Sequence, residues 1–144
     1  MSTTLSTVLA RADVTVPDAS IAEVEVPVLT GPQRQGDVGI WPRPKLGAAE
    51  QSAFVDVPSQ GVAVVRGEAT GNTHLLMPEP GHTIRWCPSQ ARAGEVKLGI
   101  LEVPDGAVAW LIHTDEHGAN GIGPGVYVVT GKREMADEIR RVAD

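Results

Sequence analysis

The chain has 144 residues and one cysteine, Cys87, so it has no internal disulfide framework, and at this length a single domain buries roughly 68–70% of its unfolded surface without one. Twelve Lys and Arg against eighteen Asp and Glu give a net charge of −6; with no local basic patch, this argues against a nucleic-acid partner, whose affinity rests on clustered positive charge. Met1 to Arg11 lacks the basic segment that opens a secretory signal, and the longest apolar stretch, Ala107 to Ile112, is far short of the roughly 20 residues of a membrane-spanning helix.

These features fit a protein of the cytoplasm or of a virion, with no membrane partner. Sixteen glycines and eleven prolines against three Trp, one Tyr and one Phe suit many short strands joined by tight turns. The expected class is all-β: a small barrel or sandwich of short antiparallel strands, with an N-terminal arm over residues 1–20, one β-rich domain over 21–144, and a closing amphipathic helix at about 135–143.

In chain order, residues 1–19 are rich in Ser, Thr, Ala and Val, and Pro17 ends any short helix around Ser6 to Ala12. Leu5, Val8 and Leu9 are its helically spaced trio, too few large apolar groups to anchor a core. Ordering each residue costs about 1–2 kcal/mol, so the arm is expected to add little to stability and to take its burial from a partner. Val24, Val26 and Val28 alternate with Glu23, Glu25 and Pro27, the period of a half-buried strand, and Pro27 places it at an edge.

Val38 and Ile40 mark a second strand before the Trp41-Pro42-Arg43-Pro44 break, and residues 42–52 read as loop. Phe54–Val57 and Val62–Val65 flank Pro58-Ser59-Gln60-Gly61, while His74–Met77 and Thr83–Cys87 flank Pro78-Glu79-Pro80-Gly81. Both patterns read as hairpins. Val96–Val103 and Ala107–His113 surround Pro104-Asp105-Gly106, the strongest hairpin signal, where Gly106 takes positive φ. Residues 114–124 read as a glycine-rich loop, and Gly125–Thr130 as a buried strand. Met135, Ile139 and Val142 recur at i, i+4 and i+7 among charged residues, the pattern of the closing helix.

Chemistry is sparse. His74, His113, Glu116 and His117 are the candidate metal ligands, an imidazole and carboxylate set suited to a divalent transition metal. However, residues four apart on a strand lie roughly 13 Å apart, so only a turn brings His113 and His117 together. The bland alternative leaves His113 at a strand end, Glu116 and His117 solvated, and His74 bonded to a backbone carbonyl.

No Gly-x-Ser-x-Gly turn is present, Cys87 has no mark of activation, and Gly131-Lys132 continues into Arg133 rather than Ser or Thr. No catalytic residue and no bound cofactor are assigned. Trp86 and Trp110 sit in strand patterns as core, and Trp41 is the aromatic suited to a contact.

The ordered motifs Gln35-Gly36-Asp37, Gly67-Glu68-Ala69-Thr70-Gly71-Asn72-Thr73-His74, His113-Thr114-Asp115-Glu116-His117, Gly125-Val126-Tyr127-Val128-Val129 and Arg133-Glu134, with a closing Arg140-Arg141-Val142-Ala143-Asp144, resemble a family of small uncharacterised bacterial and phage proteins over residues 35–144. The resemblance implies a compact β-domain and no particular activity. Relatives of that pattern often have histidine where this chain has Asn72, and glutamine at Lys132.

The expected role is therefore a non-enzymatic β-domain acting through protein contacts, as a homo-oligomer or an accessory of a symmetric assembly such as a capsid decoration protein. Val14, Val16 and Trp41 are the candidate interface residues. The alternatives are a cupin-like metal protein using the histidine set, although the cupin His-x-His spacing is absent, and a cytoplasmic small-ligand binding module.

Overall fold

The computed structural model describes residues 3–16, 18–44, 53–65, 73–89 and 97–131. Two short helices, α1 (Leu5–Ala10) and α2 (Ala19–Ala22), come first. The strands follow: β1 (Val28–Leu29), β2 (Gln33–Gln35), β3 (Val38–Arg43), β4 (Val55–Asp56), β5 (Val62–Val65), β6 (His74–Pro78), β7 (Arg85–Pro88), β8 (Lys97–Val103), β9 (Ala109–His113), β10 (Gly118–Ile122) and β11 (Gly125–Thr130). The helix expected at 135–143 lies outside the described residues.

The strands form two sheets, ordered β1-β10-β9-β6-β5 and β2-β3-β11-β8-β7-β4. They are arranged as a sandwich and do not close into a barrel. Neighbours are antiparallel except β1, which runs parallel to β10. No helix among the described residues is long and apolar enough to cross a membrane.

The period-two rule sorts side chains onto faces. Leu76 of β6 and Ala109 and Leu111 of β9 join Val38, Ile40, Trp86, Leu101, Val103, Tyr127 and Val129 in the inner core. Met77, Trp110 and Ile112 point the other way, into a separate outer cluster. All five residues of β9 are buried, as expected of a strand covered on both faces.

The expected hairpins are corrected. β4 pairs with β7, whereas β5 pairs with β6 in the other sheet; β6 pairs with β9, and β7 with β8; β8 and β9 lie in different sheets. Each proline and glycine turn is therefore a corner that carries the chain between sheets.

Turn geometry gives the reason. His82 N donates to Glu79 O (2.8 Å) and Ala107 N to Pro104 O (3.0 Å), with φ of +82° at Gly81 and +81° at Gly106. A bond from i to i+3 with positive φ at the third residue is a type II turn. Such turns splay the flanking strands instead of following the right-handed twist of a hairpin. Positive φ at Gly106 is as expected; the pairing across it is not. True hairpins join β2 to β3 at Gly36-Asp37 and β9 to β10 at 114–117.

Two further readings are corrected. Residues 118–122, read as loop, form β10, because Gly121 lets neighbours in: a Cβ there would meet Pro27 O at 2.6 Å and the Trp110 ring at 2.8 Å. The Trp41-Pro42 break is also not a break, since β3 runs on to Arg43.

Residues 3–16 pack on the outer face instead of standing away from the core. The α1 trio is the means: Val8 and Leu9 are fully buried in a cluster with Val26, Met77, Trp110 and Ile112, with Leu5, Val14 and Val16 packed against it. Thr4 caps the helix by accepting from Thr7 N. Leu5 N donates to Val24 O (2.8 Å) and Val26 N to Thr3 O (2.9 Å). This local pairing takes residues 24–26 out of the longer strand expected there, leaving Val24 and Val28 exposed and Val26 buried.

Candidate functional site

At one end of the inner core the apolar layers give way to a polar cluster. His74 and His113 stand directly opposite each other on β6 and β9, on the face that also carries Leu76 and Leu111. Both are buried, and their rings stack with centroids 4.2 Å apart and planes at 18°.

Gln35 reaches them from β2 of the other sheet. Its Oε1 lies 2.8 Å from His74 Nδ1, and its Nε2 donates to Leu111 O (2.7 Å) and Asn120 Oδ1 (3.0 Å). An amide oxygen only accepts, so the proton of this contact belongs to His74 Nδ1. Asn120 Nδ2 donates onward to Gln33 Oε1 (3.1 Å) and Arg34 O (3.3 Å), and Gln33 Nε2 to Gly121 O (2.9 Å). The result is a side-chain ladder that ties the edge of one sheet to the other.

His113 is less well provided. Its Nδ1 lies 3.7 Å from Glu116 Oε2, a carboxylate mostly in solvent, and its buried Nε2 has no hydrogen-bond partner among the described residues. An orphaned buried polar atom costs about 1–3 kcal/mol. His74 is pushed down from 6.5 to about 4, first by burial and then by His113, with Asp37 and Asp115 opposing. At neutral pH the His74 ring is therefore uncharged. Asp115 also accepts from Thr73 N (3.1 Å), and His117 holds the 114–117 turn in left-handed conformation with φ of +58°.

Of the expected ligands, His74 and His113 come together, Glu116 sits beside His113, and His117 lies half-buried in the turn. Imidazole lone pairs lie in the ring plane, so two nearly parallel stacked rings do not point their nitrogens at one ion. Among the described residues no group of three or more His, Cys, Asp or Glu is placed to hold a metal. Among the described residues the cluster offers the His74 Nδ1 proton, spent on Gln35, and the His113 Nε2 atom, without a partner there, but no nucleophile; its visible work is to fasten the two sheets.

Val14 and Val16, expected at an interface, are half-buried against the outer cluster. Trp41 is 41% exposed; its Nε1 donates to Thr130 Oγ1 (2.9 Å), and the Arg34 guanidinium lies 5.9 Å from its ring centre. Asn120 was missed because its strand was read as loop. Gln35 stood in a noted motif, but its partners are 39 to 85 residues away, beyond any local pattern.

No curated protein and no solved structure significantly matches the chain. Residues 34–132 match the family model of a domain of unknown function, DUF8820, a span that includes Gln35, His74, His113 and Asn120 and leaves α1 outside; the chain belongs to that family.

Proposed function

We propose that this chain is a non-enzymatic β-sandwich that acts through protein contacts, with a second copy of itself as the partner. The observation that carries the reading is the end strand β1, whose two residues Val28 and Leu29 are 44% and 46% exposed and which has a strand neighbour on one side alone among the described residues. Very short strands and proline guard many sheet ends, and β1 has both its two-residue length and Pro27 before it; its exposed apolar side chains are nevertheless of the kind that a strand added from a partner covers. Exposed Ile21 and Val24 in the preceding segment supply further apolar area. The finer form of the proposal is an accessory or decoration component of a symmetric assembly.

Light scattering tests it. The wild-type chain is expected to run as an oligomer, and Leu29→Lys to reduce the mass to that of a monomer with unchanged far-UV circular dichroism. A wild-type monomer at all accessible concentrations overturns the proposal. The Nε2 of His113, without a partner among the described residues, favours a second reading, a metal-binding protein, against the stacking geometry. Stoichiometric transition metal in untagged protein, lost in His113→Ala, would put that reading first.

A further inference from the structure

The outer layer carries a second feature, an open cleft unrelated to the β1 edge. The cleft, of about 320 Å³, lies where the end of α1 meets the 77–82 corner, lined by Arg11, Val57, Met77, Pro78, Glu79 and His82 among others. Its polar groups are held in place by backbone. Glu79 and His82 are the two ends of one type II turn, closed by His82 N donating to Glu79 O. Val108 fixes both: its carbonyl accepts from Glu79 N (2.9 Å), and its N–H donates to His82 Nδ1 (2.9 Å).

That last bond sets the tautomer. A ring nitrogen that accepts carries no proton, so His82 bears its proton on Nε2, a donor with no partner among the described residues. Glu79 Oε2 accepts twice, from Arg11 Nη1 (2.9 Å) and Trp110 Nε1 (2.8 Å). Its Oε1 makes no hydrogen bond among the described residues. Arg11 spends one of its five N–H groups on Glu79 and leaves the others without protein partners there.

The unspent groups are thus a guanidinium fork, a neutral imidazole N–H and a carboxylate oxygen, beside an apolar wall of Val57, Met77 and Pro78. Arg11 and Glu79 cancel in charge, so the site favours neither a simple anion nor a simple cation. A molecule that carries both charges satisfies both residues, its carboxylate on Arg11 and His82 and its ammonium on Glu79 Oε1. The volume is at the lower end of small-molecule sites, which run from about 300 to 1,000 Å³, and suits one small metabolite. We infer that this cleft binds a free α-amino acid with an aliphatic side chain.

The test is an NMR titration of the full chain with leucine, read at the indole N–H of Trp110, which reports on Glu79. Two controls keep the carbon skeleton and remove one charge each: 4-methylpentanoate lacks the ammonium and 3-methylbutylamine the carboxylate. Leucine is expected to shift the Trp110 signal saturably, with each control at least tenfold weaker. Arg11→Met and His82→Phe are each expected to weaken leucine binding tenfold or more. His82→Phe leaves the Glu79–Trp110 bond in place, so it keeps the test valid should Arg11→Met unfold. The inference is overturned if no aliphatic amino acid gives a saturable shift at tens of millimolar. It is equally overturned if 4-methylpentanoate binds as well as leucine, or if a folded His82→Phe protein binds leucine like the wild type.

Discussion

The centre of the five-stranded sheet, at Ala109–His113, is buried on both faces, but the two faces are covered by different means. The inner face meets a second sheet, and its core draws residues from strands spread between Val38 and Val129. The outer face meets a short N-terminal segment and a six-residue helix whose fully buried side chains are Val8 and Leu9. The family match begins at residue 34, so the inner core belongs almost wholly to the family domain, while its outer cover comes from upstream. The contrast teaches that a strand such as Ala109–His113, apolar on both faces, needs two covers, and the chain supplies the second from a segment that carries little apolar weight of its own.

Removing that cover should have the largest effect. Deleting residues 1–16 exposes Met77, Trp110 and Ile112 and forfeits burial of Val8 and Leu9, each worth about 1.5–3 kcal/mol, plus part of Leu5, Val14 and Val16. The sum is comparable to the whole stability of a typical domain, about 5–15 kcal/mol. The truncated chain is expected to lose its cooperative thermal transition or show a sharply lowered Tm, with strong binding of a hydrophobic dye. An unchanged Tm would mean that the two faces do not depend on both covers.

Single truncations sharpen the comparison. Leu111→Ala in the inner core is expected to cost about 2–5 kcal/mol. Leu9→Ala should fall at the lower end of that range, because a two-turn helix can settle into the space more easily than a sheet pinned on both sides. Urea denaturation of the two variants measures the order, and a larger loss at Leu9 would reverse it.

The polar end of the inner core gives the next effect. His74 has a folded pKa of about 4 against an ordinary 6.5, so the unfolded chain takes up a proton at higher pH than the native one. The stability it contributes is fully present above pH 6.5 and is lost as pH falls from 6.5 through about 4. At about 1.36 kcal/mol per pKa unit the loss is on the order of 3 kcal/mol. Among the described residues the outer face has no buried histidine. Denaturation midpoints measured from pH 7.5 to 4 should show this fall in the wild type and a flatter profile in His74→Leu, whatever its baseline; parallel profiles would assign the acid sensitivity elsewhere.

Much of this was legible in the sequence, and the gaps have physical causes. The strand runs around Ile40, Leu76, Ile100, Ile112 and Val128 follow from local apolar periodicity, and so do the turns at Gly81 and Gly106. Which strands those turns join was not legible, because a proline and glycine pair marks a turn without stating whether it closes a hairpin or a corner; the answer lies in its twist. The trio of Leu5, Val8 and Leu9 and the unbroken apolar run of β9 were each visible, but their fit is a long-range contact. The metal candidates stood out by residue type, whereas the stacking of His74 on His113 depends on strand register, and the Gln35 ladder on the approach of the opposite sheet.

The smallest expected effect calibrates both faces, because it comes from a position that touches neither. Gly106 sits at the corner between β8 and β9 with φ of +81°, and a Cβ built there meets nothing within 4 Å. Gly106→Ala therefore creates no clash and no cavity, and its cost is conformational alone, about 1 kcal/mol for placing a Cβ in the left-handed region. The contrasting corner is Gly61, also at positive φ (+87°), where a Cβ would come within 2.6 Å of Met77 Cγ and 2.7 Å of Leu76 O, so Gly61→Ala must displace a strand as well as strain the backbone. Chemical denaturation of the two variants separates backbone strain from packing at the sheet corners. A Gly106→Ala loss near 1 kcal/mol with an unchanged m-value, below that of Gly61→Ala, fits corners held by turn geometry. A loss at Gly106 as large as that of Leu9→Ala would mean that the corner itself governs how firmly the covers close on the shared sheet.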